Sequence, residues 1–161
     1  SEYFHAEVPA AIGPAELGNA RRFLSLDLNY GHDVSARTHE YLMDNGMTRE
    51  EYRFFLRQAP LRHHCIMGTD YYVTNEHRVA ADGRTWAAGD VFGYDEITRQ
   101  YFERYVLPVM HTETNMAEGP GGDEAVGWLW KQWANVLRLR NTGVPVMGFT
   151  WYSLTDQVDW D

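Results

Sequence analysis

Three short apolar runs that alternate with helical patterns constrain the fold of this chain more than any other feature. The runs begin near His64, Val106 and Val144, about 40 residues apart, and such continuous apolar runs are typical of strands buried in a parallel sheet. The stretches between them predict helices over about Tyr94–Tyr105 and Glu124–Arg140. This alternation predicts an α/β fold, either a doubly wound sheet or a (β/α)8 barrel.

The residues that follow the three runs favour the barrel. No Gly-x-Gly-x-x-Gly segment follows any run, although a doubly wound dinucleotide-binding sheet usually carries one. A barrel gathers its chemistry at the carboxyl ends of its strands. At those ends the sequence places Asp70-Tyr71-Tyr72, Glu113-Thr114-Asn115 and Trp151-Tyr152. We therefore predict part of a TIM barrel.

The residues before His64 predict helices. One helix is predicted over about Leu17–Leu28 and a second over about Val34–Asp44. A third begins at Thr48, which lies three residues before Glu51, the spacing of a capping box.

Composition and charge narrow the classes of partner. The formal net charge is -9, with 23 acidic and 14 basic residues, which disfavours nucleic acid and anionic membranes. Cys65 is the single cysteine, so neither an intramolecular disulfide nor a cysteine-based zinc site is available. The apolar runs are far shorter than the ~20 residues of a membrane span, and no signal-peptide pattern is present at the start. We expect a soluble, cytoplasmic protein, and aromatic residues close to both termini indicate a piece of a longer chain.

Glu113 is the candidate for chemistry that the residues themselves single out. A carboxylate that ends an otherwise apolar strand is unusual, although an arbitrary glutamate in such a place is more often a surface loop residue. The neighbouring strand ends supply aromatic faces, which pack on sugar rings, and polar groups, which hydrogen-bond hydroxyls. The set predicts a carbohydrate ligand. A sugar-binding barrel protein without catalysis and a different TIM-barrel enzyme, such as a metal-dependent hydrolase, remain the alternatives.

Three segments carry a family pattern: Met67–Tyr72, Met110–Asn115 and Gly148–Trp160. They resemble the family-1 glycoside hydrolases, which are retaining, β-glucosidase-like enzymes. Met110–Asn115 is similar to the Thr-Glu-Asn-Gly segment that carries their nucleophile, and Met67–Tyr72 to their sixth-strand Ile-Gly-x-Asn-Tyr-Tyr segment. Gly148–Trp160 resembles their eighth strand and the loop after it. The matches occur in the right order and at barrel spacing. The resemblance implies that residues 1–161 form the C-terminal half of one TIM-barrel catalytic domain, from after strand 5 through strand 8.

The resemblance also assigns roles to single residues. Glu113 takes the place of the nucleophile, and Tyr72 the place of a tyrosine that hydrogen-bonds the nucleophile. Together with the other strand-end groups, it implies substrate-binding residues at Asp70, His111, Asn115, Trp151, Tyr152, Asp159 and Trp160. Asp70 stands where the family has Asn, so glucose itself is not implied. No cofactor and no metal are implied.

The second carboxyl group of a retaining glycosidase is missing from the pattern. Retaining hydrolysis requires two carboxyl groups ~5 to 5.5 Å apart, a nucleophile and an acid/base. In the family the acid/base belongs to an Asn-Glu-Pro segment, which this chain lacks, and we interpret Glu76 in the similar Asn75-Glu76-His77 as a solvated loop residue. We expect the isolated chain to be inactive. We also expect it to require the missing N-terminal half of the barrel, or self-association, to cover its open sheet edges.

Two further patterns receive structural interpretations. His63-His64-Cys65 resembles a metal cluster, but adjacent strand residues point to opposite faces, so packing at the start of a strand is favoured. Trp128 and Trp133 have helical spacing among apolar neighbours, and we interpret the tryptophans of this helix as core packing.

Overall fold

The computed structural model describes residues 1–57, 59–117 and 121–155. The chain divides into two compact units, of which the first comprises Ser1, Ile66–Glu76 and the residues from Ala87 onward, and the second Glu2–Cys65 and His77–Trp86. The helices and strands are β1 (Tyr3–Ala6), α1 (Ile12–Arg21), α2 (Leu24–Asn29), α3 (Ala36–Asp44), α4 (Arg49–Leu56), β2 (Met67–Asp70), β3 (Glu76–Val79), β4 (Thr85–Ala87), α5 (Gly93–Tyr105), β5 (Val109–Glu113), α6 (Asp123–Asn141) and β6 (Val146–Phe149), with 3-10 turns at Pro9–Ala11 and Ala59–His64.

The first unit is built on a parallel sheet in the order β2-β5-β6. Both neighbours of the central strand β5 run parallel to it, with Val109 paired to Met67 on one side and to Val146 on the other. The predicted alternation of parallel strands and helices is therefore confirmed. The strand predicted from Val106 begins only at Val109, because Val106 ends α5 in a left-handed conformation (φ 54) and Pro108 has no N–H to donate.

One face of this sheet is buried against α5 and α6. Met67, Thr69, Val109 and His111 alternate along β2 and β5, and their exposed fractions are at most 1%. The hydroxyl of Tyr94 on α5 lies 2.8 Å from Thr69 Oγ1, so this helix is joined to the sheet by a buried hydrogen bond as well as by packing. The core of the unit lies between the sheet and these two helices.

A β-bulge near the end of β5 turns Glu113 towards the opposite face. His111 is paired with Thr69, but the next pair joins Asp70 to Glu113, which leaves Thr112 as the extra residue. In a regular strand of the same length, Glu113 would share the buried face with His111, because residues two positions apart point to the same side. With the bulge, Glu113 shares the face of the sheet that α5 and α6 do not cover.

The second unit contains a small sheet and, among its described residues, the helices α1 to α4. The sheet has the order β1-β3-β4. The sequence patterns do not predict it, because its strands have only three or four residues and little apolar alternation. Val34, Leu42 and Tyr52 form the buried cluster between the helices.

The helices of this unit agree only partly with the sequence prediction. The prediction of a single helix over Leu17–Leu28 is wrong, because α1 and α2 are separate helices. The first of them begins before Leu17, with Pro14 in its first turn, where no backbone N–H bond is lost. The capping box at the start of α4 is confirmed, since Glu51 N donates to Thr48 Oγ1 at 3.2 Å and Thr48 N donates to Glu51 Oε2 at 2.7 Å.

The tryptophans of α6 differ in their surroundings. Trp128 is 5% exposed and belongs to the core, whereas Trp133 is 41% and Trp130 66% exposed. The prediction of core packing is thus right for Trp128 and wrong for the other two, because a helix that covers one sheet presents a single stripe to it. None of the described helices is long and apolar enough to cross a membrane.

Candidate active site

Glu113 and Tyr72 meet at the carboxyl ends of two adjacent parallel strands. Tyr72 lies two residues beyond the end of β2, and its hydroxyl donates a hydrogen bond to Glu113 Oε1. Burial, and next this hydrogen bond, raise the pKa of the Tyr72 hydroxyl well above its ordinary value. Tyr72 therefore stays protonated around neutral pH and fixes one carboxylate oxygen of Glu113.

Asp70 lies directly beside Glu113 in the sheet. The two residues are register partners on β2 and β5, so they follow the same face of the sheet. Asn75 Nδ2 donates to Asp70 Oδ2 at 3.4 Å, and the other Asp70 oxygen contacts the amino group of Ser1. Two carboxylates therefore stand side by side at this edge, which favours ligands that present hydrogen-bond donors.

Asn75 is a site residue that the motif comparison misses. Its Oδ1 accepts a hydrogen bond from Tyr72 N at 3.0 Å, and its own N donates to Tyr72 O at 3.0 Å. These bonds close the turn after β2 and hold the backbone of Tyr72. The signal in the sequence is the asparagine itself, a residue type that turns favour.

The residues that follow β5 and β6 are joined by hydrogen bonds. Asn115 Nδ2 donates to Ser153 O at 3.1 Å, and Tyr152 N donates to Thr114 O at 3.1 Å. Tyr152 is exposed and Trp151 is partly buried, and the peptide bond between Tyr152 and Ser153 is cis. The structure thus brings these predicted residues to the same sheet edge as Glu113. Asp159 and Trp160 lie outside the described residues.

His111 lies on the other side of the sheet from Glu113. It has no exposed surface, and its ring is stacked on Tyr94 with centroids 3.8 Å apart and packs edge-on against Phe149 at 5.1 Å. Burial lowers the pKa of His111 to about 4, so the ring is neutral near pH 7. The prediction that His111 binds substrate is not supported by this placement, because the bulge at Thr112 separates the two side chains onto opposite faces.

Glu76 is not the solvated loop residue that the sequence suggests. It is fully buried, and its Oε1 accepts hydrogen bonds from Tyr71 Oη at 2.7 Å, Phe92 N at 3.0 Å and Gly93 N at 2.8 Å. Oε2 accepts a second bond from Phe92 N at 2.9 Å. The carboxylate therefore stabilises the positive N-terminus of α5, and this role removes it from the candidates for the acid/base.

The histidines beside the single cysteine form no metal site in the described part of the chain. His63 and His64 lie exposed on the 3-10 turn Ala59–His64 and not at the start of a strand, so the predicted packing role is wrong for them. Among the described residues, no group of three or more His, Cys, Asp or Glu side chains is arranged to hold a metal ion.

The fold has solved counterparts. No family model and no curated protein sequence matches the chain. The β-glucosidase from Thermotoga maritima in complex with deoxynojirimycin has a TM-score of 0.76 at 17% identity, over 99% of this chain and 41% of that chain. A Thermotoga maritima family 1 glycoside hydrolase complexed with a cyclophellitol analogue has a TM-score of 0.74 at 18% identity, again over 99% of this chain and 41% of that one. The chain therefore has the fold of part of a TIM-barrel glycosidase and spans about 41% of its length.

Proposed function

We propose that this chain is the C-terminal part of a retaining β-glycosidase barrel and supplies its nucleophile, Glu113. The observation that carries the proposal is the hydrogen bond from Tyr72 to Glu113 at adjoining ends of β2 and β5. The solved β-glucosidases with this fold are complexes with deoxynojirimycin and azafagomine, which supports a sugar-like ligand for the whole barrel.

In the proposed reaction, Glu113 forms and then loses a bond to the sugar. A Glu113 carboxylate oxygen attacks the anomeric carbon, the glycosidic C–O bond breaks, and the leaving oxygen takes a proton from the acid/base. The product is a glycosyl ester of Glu113. Water then gives a proton to the same acid/base and attacks the anomeric carbon, which releases the sugar with retained configuration and restores the carboxylate. Tyr72 holds the carboxylate in one orientation for both displacements.

The acid/base comes from outside this set of residues. Glu76 is engaged at the N-terminus of α5, and Asp70 is the immediate neighbour of Glu113 in the sheet, so neither faces Glu113 across a bound sugar. We assign the acid/base to the remaining part of the barrel. Among the described residues, β2 and β6 each pair only with β5 in this sheet, which leaves two edges for that part or for a second copy. A monomer in size-exclusion chromatography that also shows a sharp transition in a separate thermal unfolding experiment would contradict this requirement.

Covalent labelling tests the nucleophile without the acid/base. A 2,4-dinitrophenyl 2-deoxy-2-fluoro-β-glucoside has a leaving group that needs no protonation, and its fluorine slows hydrolysis of the ester. The chain is incubated with it alone and together with the N-terminal strands of a family-1 barrel supplied as a separate polypeptide. We expect an adduct on Glu113 by peptide mass spectrometry, lost in Glu113→Gln and formed about 10-fold more slowly in Tyr72→Phe.

The outcomes of this experiment separate the candidate functions. An adduct on another residue would reject Glu113 as the nucleophile. Absence of any adduct in both mixtures, together with sugar binding measured by calorimetry, would favour a carbohydrate-binding barrel protein without catalysis.

A further inference from the structure

The side chain of Thr114, the residue after Glu113, accepts one buried hydrogen bond and donates another. It has no exposed surface. Its Oγ1 accepts from Trp128 Nε1 at 2.8 Å and donates to Tyr71 O at 2.6 Å. Because an indole N–H only donates and a carbonyl only accepts, the direction of both bonds is fixed.

These bonds connect the two strand ends that carry Glu113 and Tyr72. Tyr71 N donates to Glu113 O at 3.0 Å, and Thr114 Oγ1 returns a bond to Tyr71 O. The pair of bonds closes a ring between Tyr71 on one side and residues 113 and 114 on the other. The peptide group that joins Tyr71 to Tyr72 is therefore held, through its carbonyl, by the residue that follows the nucleophile.

Buried aromatic and charged groups surround the hydrogen-bonded ring that contains Thr114. The Trp128 ring stacks on the Tyr71 ring at 5.9 Å with an angle of 10° between the planes. The Tyr71 hydroxyl is bonded in turn to the buried Glu76 carboxylate. Replacing the Thr114 hydroxyl by a methyl group would leave a buried N–H and a buried carbonyl without this partner, an outcome that packing cannot compensate.

We infer that Thr114 is a positioning residue for Glu113, which acts by holding Tyr71 so that the hydroxyl of Tyr72 reaches the Glu113 carboxylate. Only the expected effect of Thr114 on catalysis rests on the proposed function of Glu113. The positioning itself is a property of the hydrogen-bond network and has its own readout.

The test is the Tyr72 phenol carbon in the chain labelled with [13Cζ]tyrosine, observed by NMR at neutral pH and assigned through Tyr72→Phe. Glu113→Gln sets the shift expected when the carboxylate is lost. We expect Thr114→Val to move the Tyr72 resonance at least about half as far as Glu113→Gln does, because the buried partners relax towards each other. Thr114→Ser retains the hydroxyl and should leave the resonance in place. Thr98→Val, which removes another fully buried threonine hydroxyl from the same unit, should also leave it in place.

The outcomes distinguish a positioning role of Thr114 from a purely structural role. They also separate this inference from the proposed function of Glu113. A folded Thr114→Val chain with an unchanged Tyr72 resonance overturns the inference and leaves Thr114 a purely structural role. If Thr114→Val does not fold, Thr114→Ala removes the same two hydrogen bonds with a smaller side chain, and an unchanged resonance there overturns the inference equally. A shifted resonance without a sugar adduct on Glu113 in the wild-type chain would instead reject the proposed function and leave the positioning network intact. Where the adduct forms, Thr114→Val should slow it about 10-fold.

Discussion

Replacement of Glu76 should destabilise the chain more than replacement of any exposed carboxylate. Its buried Oε1 accepts four hydrogen bonds, from Tyr71 Oη and from the N–H groups of Val91, Phe92 and Gly93, and Oε2 accepts one more from Phe92. Hydrogen bonds to a charged group contribute about 1.5 to 3 kcal/mol each, and a carboxylate at a partly buried helix N-terminus adds up to about 2 kcal/mol. These contributions are not additive, so we expect Glu76→Ala to cost about 3 to 5 kcal/mol, as breaking other buried charged networks does.

Glu76→Gln removes the negative charge and keeps nearly the same side-chain shape. A glutamine with its oxygen at the Oε1 position keeps four acceptor contacts, but its amide group then meets Phe92 N–H, which is a second donor at 2.9 Å from that position. We expect a cost of about 1.5 to 3 kcal/mol.

Urea unfolding followed by circular dichroism at fixed protein concentration measures both changes. With m between about 1 and 3 kcal/mol per M, the Ala variant should unfold at a urea concentration lower by about 1 M or more. Glu103→Gln, on the exposed face of α5, is the matched control and should change the free energy of unfolding by less than about 0.5 kcal/mol. If Glu76→Ala changes the midpoint no more than Glu103→Gln does, the assignment of Glu76 as the stabilising carboxylate of α5 is wrong.

Two further predictions concern the free energy of unfolding. Because burial lowers the pKa of His111 to about 4 while the unfolded residue titrates near its ordinary value of 6.5, the unfolded chain binds more protons between these values. Stability should fall as the pH is lowered from about 6.5 to 4, by up to about 3 kcal/mol, and His111→Phe should remove that part of the slope; the same slope in the variant would contradict it. Val106 is 70% exposed in a left-handed conformation, so Val106→Gly should stabilise by about 1 kcal/mol in thermal unfolding. Val8→Gly, at an extended position, should not, and equal effects at the two sites would refute the backbone argument.

The parallel sheet and its helices follow from patterns that the sequence carries locally. Short apolar runs indicate strands, and a helix between two such strands must show helical spacing, so the element types are predictable. The Thr48 and Glu51 capping box is equally local, because both partners lie within one turn. The strand-end position of Glu113 follows from the same logic.

The remaining features depend on contacts between distant parts of the chain. Glu76 has its partners at 71 and at 91 to 93, and nothing near it in the sequence distinguishes it from a loop glutamate. His111 looks like a neighbour of Glu113 by spacing alone, and only the pairing register shows that Thr112 separates the two faces. The short strands β1, β3 and β4 are held by one another and by a helix, so their own residues carry little signal.

Because of the extra residue at Thr112, the face on which the Glu113 side chain lies depends on the pairing register of the strand end and not on how the side chain packs. Val109 and His111 precede the bulge and lie in the core. In-frame loss of the Thr112 codon would remove the bulge and place Glu113 directly after His111, where regular alternation keeps the carboxylate on the open face. A strand end of the same length without the bulge would instead turn the carboxylate towards the helices, so the pairing register of this strand end decides whether a retained glutamate can react.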